Sequence, residues 1–347
     1  MQPIHVIRNA LVAGSAERRP AVLWALASLA LSMLLSSLGT SIANVGLPTL
    51  AQAFSASFQE VQWVVLAYLL AITTLIVGVG RIGDILGRRR LLLAGIVLFS
   101  VASLLCGVAS TLGQLLAARA AQGCGAAIMI ALSMALVGEA VPQARTGSAM
   151  GLLGTMSAIG TALGPSLGGV LIAGFGWRAI FLVNVPLGLL TFLLARRHLP
   201  VDRRGPQTER AGFDTLGMLL LALTLAAYAL AMTMARSHFG PLNIALLLAA
   251  TIGAGLFVRV EARATAPLID LAIFRDPGVR AGVAMSALVA TVIMTTLVVG
   301  PFYLARALGL DAPFVGLAMS AGPLAAALSG VPAGRSVDRF GAPRMTI

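Results

Sequence analysis

Ten apolar stretches of about 20 residues follow one another along the 347-residue chain, and short polar segments separate them. They lie at roughly 21–46, 61–80, 91–110, 112–137, 148–173, 179–196, 214–235, 242–259, 281–304 and 314–333. In lipid an isolated strand leaves backbone groups unpaired, whereas a helix pairs its own. The pattern therefore predicts an all-α integral membrane protein with about ten transmembrane helices.

The arginines predict which side of the membrane each connection faces. All 24 basic residues are arginine, and 20 of them fall in the N-terminal segment and in every second connection. The other connections hold Arg178, Arg236 and Arg306, and Arg119 lies inside a predicted span. Because basic loops stay on the cytoplasmic side, we expect a cytoplasmic N-terminus. Residues 1–20 show no cleavage-site pattern and are predicted to be a cytoplasmic tail.

The composition agrees with a membrane protein and argues against a nucleic-acid partner. Hydrophobic residues make up 59% of the chain, charged residues make up 10%, and the mean hydropathy is +0.96. One soluble core could not bury so much apolar surface. The net charge of +12 comes from arginines that occur in bursts between apolar runs, and not from one basic face.

Residue types that perform catalysis or bind metals are sparse and scattered. Cys106 and Cys124 lie within predicted spans, and they are interpreted as free thiols. His5, His198 and His238 are far apart and show no metal-ligand spacing. We therefore expect no enzymatic activity, no metal site and no cofactor.

A basic segment occurs twice in the chain. Gly80–Arg90 and Gly334–Arg344 share glycine, arginine, aspartate, glycine and arginine at a constant offset of 254 residues. Each copy lies between long apolar runs, so the repeated unit spans the membrane. Many secondary transporters are built from repeated halves that move against each other. The repeat predicts a transporter whose second half has only begun when the sequence ends.

The first copy resembles the signature of the major facilitator superfamily between its second and third helices. The matching positions are Gly80, Asp84, Gly87, Arg88 and Arg89. The resemblance implies that Asp84 and Arg88, together with Asp338 in the second copy, take part in conformational coupling. An aspartate at such a place can pair with arginine or cap a helix in one conformation only. A basic loop that only sets topology is the alternative.

A second resemblance to this superfamily lies in the fourth predicted span, where Arg119 matches the motif arginine. In hydrocarbon an arginine is costly unless it faces protein or a water-filled cavity. The resemblance implies a role for Arg119 in proton transfer and conformational coupling. The alternative is a side chain that extends to the outer membrane surface.

A third resemblance lies in the fifth predicted span, and it concerns a pattern typical of exporters that exchange drugs for protons. The matching positions are Gly151, Gly160, Gly164, Pro165, Gly168 and Gly169. Small residues one turn apart let two helices approach closely, and a proline can bend a helix. Helix packing without a transport role is the alternative.

The repeat offset separates this chain from twelve-span carriers. Six spans at this chain's spacing would repeat after fewer residues than 254, so two extra helices fit between the halves. This arrangement resembles the fourteen-span drug:H⁺ antiporter branch, and it implies a major facilitator fold with two extra central helices and the last four helices missing. The predicted organisation is a cytoplasmic tail at 1–20, an N-terminal six-helix half at 21–197, a cytoplasmic loop at 198–213, two linker helices at 214–260 and the start of a truncated C-terminal half at 261–347.

The chain departs from that branch at the position where its first helix carries a carboxylate. Gly39 occupies this position, and all twelve acidic residues lie in loops or near the ends of spans. A buried acid is a natural proton carrier, because desolvation favours its protonated form. Glu60, Asp84 and Glu139 are therefore the remaining candidates for proton coupling.

These observations together predict a secondary transporter that exports drugs or toxic metabolites across the bacterial inner membrane by alternating access, with protons as the coupling ion. Its partners would be a hydrophobic, drug-like small molecule, protons and the lipid bilayer. Residues proposed to line the substrate cavity are Asn44, Tyr68, Met129, Met156, Met285 and Met294. An uptake or facilitative carrier for a small metabolite and an inactive truncated transporter remain the alternatives.

Overall fold

The computed structural model describes residues 3–202, 215–233, 240–264, 271–306, 308–309 and 312–340, and helices but no strands occur within these ranges. The helices are α1 (Pro3–Ala53), α2 (Phe58–Leu86), α3 (Arg88–Val108), α4 (Leu112–Ala140), α5 (Thr146–Phe175), α6 (Ala179–Leu182), α7 (Asn184–His198), α8 (Thr215–Thr233), α9 (Pro241–Glu261), α10 (Pro277–Arg306) and α11 (Ala312–Phe340). Short 3₁₀ turns occupy Gln143–Arg145 and Leu271–Arg275. The predicted all-helical architecture is confirmed.

Seven helical segments in the described ranges are long and apolar enough to cross a membrane. They are Val22–Ala53, Gln59–Leu86, Arg88–Val108, Leu112–Ala140, Thr146–Phe175, Ala179–His198 and Pro241–Glu261. Shorter apolar helices coincide with the other three predicted spans, at Leu216–Met232, Pro277–Val292 and Leu324–Ala333. The total of ten spans and the four missing helices stay predictions.

The chain divides into two compact units. Unit 1 comprises residues 1–204 and 326–347, and unit 2 comprises residues 205–325. Within unit 1, α1 packs along α5, while α2 and α3 both pack against α4, and α7 contacts α1 and α3. Two apolar clusters fill the spaces between these helices, one around Leu29 and Ile96 and the other around Ile42 and Phe181.

Local capping determines where two helices of unit 1 begin. At the start of α2, Glu60 N donates to Ser57 Oγ over 3.3 Å, and Ser57 N donates to Glu60 Oε2 over 2.7 Å. At the start of α4, Gln114 N donates to Thr111 Oγ1 over 3.3 Å. These bonds pair backbone donors that the first turn of a helix leaves unsatisfied.

Three segments predicted to be loops or tails are helical. The predicted loop at 80–90 is helix up to Leu86, and α3 begins two residues later at Arg88. No proline interrupts residues 81–86, so helix propagation continues to Gly87, whose φ of 95° ends it. Likewise α11 extends into the second copy as far as Phe340, and α1 begins at Pro3, within the predicted tail.

The sixth predicted span is broken near Val183, where α6 ends and α7 begins. Pro186 lacks the N–H that would bond to the carbonyl four residues before it, so a regular helix is interrupted here. Asn184 Nδ2 donates to the carbonyl oxygens of Ile180 and Phe181, 3.2 and 3.3 Å away. The break is thus stabilised by a buried amide.

In unit 2, α8 and α9 form a hairpin. Asn243 accepts a hydrogen bond from Gly240 N over 3.2 Å, and its Nδ2 donates to the carbonyl oxygen of Ala231 over 2.7 Å. One side chain therefore caps α9 and joins it to α8. They correspond to the two linker helices predicted at 214–260, between the repeated halves.

Candidate functional site

Arg119 connects three helices of unit 1 from a fully buried position. Its Nε donates to the carbonyl oxygen of Val64 on α2 over 2.8 Å. Its Nη1 donates to the carbonyl oxygen of Gly39 on α1 over 3.1 Å, and to Gln122 Oε1 on α4 over 2.6 Å. The side chain therefore does not extend to the membrane surface, which rules out that alternative.

Aromatic rings surround the guanidinium group. Its central carbon lies 4.2 Å from the centroid of the Tyr68 ring and 5.9 Å from that of Phe181. The faces of such rings attract cations, most strongly where water is excluded. Within the described residues no carboxylate pairs with Arg119, and its Nη2 has no hydrogen-bond partner. Carbonyl dipoles and ring faces are thus the groups that stabilise this buried charge.

Gln122 extends the network of Arg119 to α3. Its Nε2 donates to Ser103 Oγ over 2.6 Å, and Ser103 Oγ donates to the carbonyl oxygen of Phe99 over 2.6 Å. Gln122 and Ser103 are not among the site residues predicted from the sequence. Gln122 follows Arg119 by three residues and so shares its helix face, which is a usable signal. Ser103 has no comparable signal in the sequence.

Tyr68 completes the enclosure around Arg119. It is fully buried, and its hydroxyl donates to the carbonyl oxygen of Ser36 on α1 over 2.7 Å. A Cβ added at Gly39 would lie 3.2 Å from Tyr68 Oη and 3.3 Å from Phe99 Cζ. The space at Gly39 is therefore narrow, and its backbone carbonyl is the group that α1 presents to Arg119.

The glycines of α5 bring that helix close to α1. A Cβ at Gly160 would lie 2.5 Å from the carbonyl oxygen of Leu34, and one at Gly164 would overlap Ser41 Oγ. Ser41 Oγ also donates to the carbonyl oxygen of Gly160 over 3.2 Å. Gly168, one further turn along, faces Ile42. Small residues at four-residue spacing thus permit direct contact between the two backbones.

The other members of the α5 pattern do not share this contact. Pro165 is exposed, and a Cβ at Gly169 would meet nothing within 4 Å. Gly151 lies nine residues before Gly160, which is about two and a half helical turns, and it is partly buried. Gly160, Gly164 and Gly168 of the pattern thus form the contact with α1, and the other three positions lie outside it.

Charged side chains meet at the basic end of unit 1, the end formed by the α2–α3 turn and the C-termini of α4 and α7. Arg88 Nη2 lies 2.9 Å from Asp84 Oδ1, and Arg88 Nη1 lies 2.7 Å from Glu139 Oε1. About half of each carboxylate side chain is exposed, so solvent weakens both pairs. The side chain of Asp338 in the second copy lies outside the described part of the chain.

The proposed cavity residues occupy different environments. Asn44 is exposed on α1, whereas Tyr68 and Met129 are fully buried. Met156 is partly buried against the first apolar cluster, and Met285 in unit 2 is 49% exposed. The side chain of Met294 lies outside the described residues. In unit 1 the structure thus presents Asn44 at a surface and places Tyr68 and Met129 in the core.

In the part of the chain that the structure describes, no three His, Cys, Asp or Glu residues lie close enough together to hold a metal ion. Cys106 is buried and Cys124 is partly buried, and both are free. The polar groups gathered in unit 1 can hold helices together and can exchange hydrogen-bond and ion-pair partners.

Comparisons with known proteins agree on one family. The profile of the Major Facilitator Superfamily matches residues 29–347. The chain is 34% identical over 316 residues to the multidrug resistance protein Stp of Mycobacterium tuberculosis and 35% identical over 306 residues to the drug efflux pump JefA of the same species. It is also 31% identical over 312 residues to the riboflavin transporter RibZ of Clostridioides difficile.

These relatives are longer than the chain. The matches cover 90%, 87% and 90% of the chain, but 58% of Stp, 59% of JefA and 67% of RibZ. Among solved structures, the proton:xylose symporter XylE superposes with a TM-score of 0.63 at 17% identity, over 92% of this chain and 70% of that one. A likeness at this identity supports the fold alone. The family profile and the curated relatives go further, and the chain belongs to the Major Facilitator Superfamily of membrane transporters.

Proposed function

We propose that this protein exports hydrophobic, drug-like small molecules across the bacterial inner membrane by alternating access. The observation that carries this proposal is the contact of α5 with α1 through Gly160 and Gly164. It gives a structural role to the glycine pattern that, in this superfamily, is typical of exporters. Two relatives, Stp and JefA, are named for drug resistance and drug efflux.

The surface proposed to meet substrate lies on α1 beside that contact. Asn44, Pro48 and Gln52 are all exposed and recur at four-residue intervals, so they share one helix face. Ser41 and Ile42, which contact α5, belong to the same stretch of α1. A change in how α5 packs on α1 would therefore reorient the Asn44 face.

Proton exchange is part of the proposal, with the acidic residues at the basic end as carriers. Asp84 and Glu139 share the single cation Arg88, so protonation of either acid would weaken its pair with Arg88 and free it to move. Asp338 would act in the same way in the second half. We assign Arg119 to conformational coupling, because it joins α1, α2 and α4.

The proposed orientation places the basic end in the cytoplasm, together with the N-terminus, because arginine-rich connections stay on that side. The drug would then leave from the opposite end of the bundle. Fluorescent dye transport in inverted membrane vesicles, with and without a protonophore, tests direction and coupling together. Export predicts dye accumulation inside the vesicles on acidification of their lumen, and loss of accumulation when the protonophore is added.

An uptake or facilitative carrier is the second candidate, and the similarity to RibZ, a riboflavin transporter, favours it. In that case inverted vesicles would not concentrate the dye, whereas intact cells would take up a small metabolite faster with the protein than without it. Riboflavin is the first metabolite to test. Uptake of this kind, with no dye accumulation in vesicles, would contradict the export proposal.

A further inference from the structure

The N-terminus of α3 carries positively charged side chains where the helix dipole is also positive, and its N-cap residue offers no side-chain acceptor. The helix begins with three arginines, Arg88, Arg89 and Arg90. The first turn of a helix carries partial positive charge and has unpaired N–H groups, so cations are unfavourable there. The N-cap residue is Gly87, which has no side chain to accept these hydrogens. Acceptors must come from elsewhere in the chain.

Asp202 supplies them from a position more than 100 residues further along the chain. Its Oδ1 accepts a hydrogen bond from Arg89 N over 2.9 Å, and its Oδ2 accepts one from Arg90 N over 3.2 Å. Both oxygens of one carboxylate thus cap the helix, and the negative charge compensates the helix dipole. Asp202 lies four residues after the end of α7, where the connection to residue 215 starts.

A further hydrogen bond, donated by the Arg89 side chain of α3, joins α3 to the end of α7. Its Nη2 donates to the carbonyl oxygen of Arg196 over 2.5 Å. Arg196 belongs to the last turn of α7, whose carbonyl groups have no partner within the helix. The segment after α7 therefore caps α3, and the first turn of α3 caps α7.

The position of Gly87 accommodates this arrangement only because the residue is a glycine. Its φ of 95° favours glycine, and an added Cβ would overlap Asp202 Oδ2 and lie 2.8 Å from Asp202 Cγ. Gly87 is thus required both by the turn between α2 and α3 and by the close approach of the Asp202 carboxylate.

We propose that Asp202 and Arg89 form a reciprocal helix clamp that positions the start of the α7–α8 connection against the α2–α3 turn during the transport cycle. The clamp makes the end of α7 and the α2–α3 turn move as one body. The half-exposed ion pairs of Arg88 with Asp84 and Glu139 remain free to form and break. Transport itself follows from the family, so this inference needs neither the export direction nor the drug substrate.

Distances between spin labels at Ile85 and Val201 in the full-length transporter test the clamp. Both positions are exposed, at 57% and 71%, and they lie on the two sides of it. Wild type should give a narrow distance distribution. Asp202→Asn removes the charge and leaves one oxygen instead of two to accept from Arg89 N and Arg90 N, so the segment after α7 should detach from α3 more often. Val201 could then move by roughly 10 Å, because an extended chain spans about 3.3 Å per residue. The distribution should broaden accordingly.

The matched control is Asp276→Asn in unit 2, where Asp276 Oδ1 accepts a hydrogen bond from Gly278 N over 2.7 Å at the start of α10. It removes the same charge from another helix N-terminus and should leave the distribution unchanged. Asp202→Asn should also lower the maximal transport rate about fivefold with little change in KM, since the residue is remote from substrate. An unchanged distribution in Asp202→Asn, or equal broadening in both variants, would overturn the clamp.

If Asp202→Asn does not reach the membrane, Gly87→Ala tests the same contact from the other side. The added methyl group should displace the carboxylate and broaden the distribution in the same way. Gly138→Ala, at the C-terminus of α4, is its control, because a Cβ there would meet nothing within 4 Å. A narrow distribution in Gly87→Ala would count against the proposal.

Discussion

The guanidinium of Arg119 donates a hydrogen bond to the carbonyl oxygen of Gly39, 3.1 Å away. This bond joins the buried cation of α4 to the position on α1 where the fourteen-span drug:H⁺ antiporter branch carries a carboxylate. A backbone carbonyl can accept a hydrogen bond but cannot exchange a proton near neutral pH. The buried arginine is therefore separated from the proposed proton carriers, Asp84 and Glu139, which lie at the basic end.

Replacement of Arg119 tests its role as a connector. Arg119→Lys keeps the charge but cannot reach the carbonyl oxygens of Val64 and Gly39 with one planar group. We expect a loss of about 2 kcal/mol of stability, since buried acceptors lose their donors. Thermal unfolding in detergent measures the loss, and dye transport should fall with it.

The matched control for this substitution is Arg178→Lys. Arg178 also lies over an aromatic ring, with its guanidinium carbon 4.4 Å from the centroid of Trp177, but it is exposed. Its replacement should cost less than about 0.5 kcal/mol, as is usual for surface positions. Equal losses in the two variants would show that the connections made by Arg119 do not matter.

The sequence was sufficient to predict the helical membrane fold, because the length and composition of the apolar stretches leave few other structures. The repeated segment around Asp84 and the Arg119 motif were sufficient to predict the superfamily, which the comparisons confirm. The fourteen-span branch, the export direction and the proton coupling stay predictions.

Long-range contacts could not be predicted in the same way. The sequence marks Gly164 as one of a pattern, but the fact that it faces Ser41 depends on how α1 and α5 pack. Asp202 was one of twelve acids, and its role depends on a turn more than 100 residues earlier. Periodicity reports which residues share a face of one helix, and it does not report which helix covers that face.

The predicted loop at 80–90 was wrong for a local reason. The segment is polar and lies between two apolar stretches, yet arginine is a good helix former, and a glycine inside a helix costs only about 1 kcal/mol. One residue with positive φ, Gly87, is enough to turn the chain between α2 and α3.

Single cysteines can test the proposed orientation, in a background where Cys106 and Cys124 are replaced by alanine. Ser55 is exposed in the turn between α1 and α2, and Gln143 is exposed in the turn between α4 and α5. With a cytoplasmic N-terminus, a cysteine at Ser55 should react with an impermeant maleimide in intact cells, and one at Gln143 should react only after permeabilisation. The reverse pattern would invert the proposed topology.

The glycine contact between α5 and α1 predicts a position-specific effect on transport. Gly164→Leu should abolish transport, because even a Cβ at this position would overlap Ser41 Oγ and lie 2.8 Å from Ile42 N. Gly169→Leu is the matched control on the same helix, where a Cβ would meet nothing within 4 Å. Dye efflux should be compared at equal amounts of protein in the membrane. Similar efflux in both variants would show that the α1–α5 contact has no part in transport.

The pairs of Arg88 should contribute more to transport than to stability. Glu139→Gln removes one partner at a half-exposed site, so we expect a loss below about 1 kcal/mol that shrinks further in high salt. If the pair must form in one conformation and break in another, the transport rate should fall several-fold even where unfolding is nearly unchanged. Thermal unfolding and dye transport on the same preparation separate the two effects. A variant with wild-type transport would remove Glu139 from the proposed coupling.

The last prediction concerns a carboxylate introduced at Gly39. In Gly39→Asp the new side chain would arise where Arg119 already donates to the backbone of the same residue, and Arg119 Nη2 has no partner. We expect the aspartate and Arg119 to form an ion pair, because a buried charge is stabilised most by an adjacent opposite charge. The ratio of cationic to neutral dye transport should therefore stay near the wild-type value in Gly39→Asp. It should rise in the double variant Gly39→Asp with Arg119→Gln, where the carboxylate is left to attract the cationic dye. Gly39→Ala controls for the narrow space beside Tyr68 Oη and Phe99 Cζ. A strong cationic preference in Gly39→Asp alone would mean that Arg119 does not neutralise this position, and the buried network would then have to rearrange during transport.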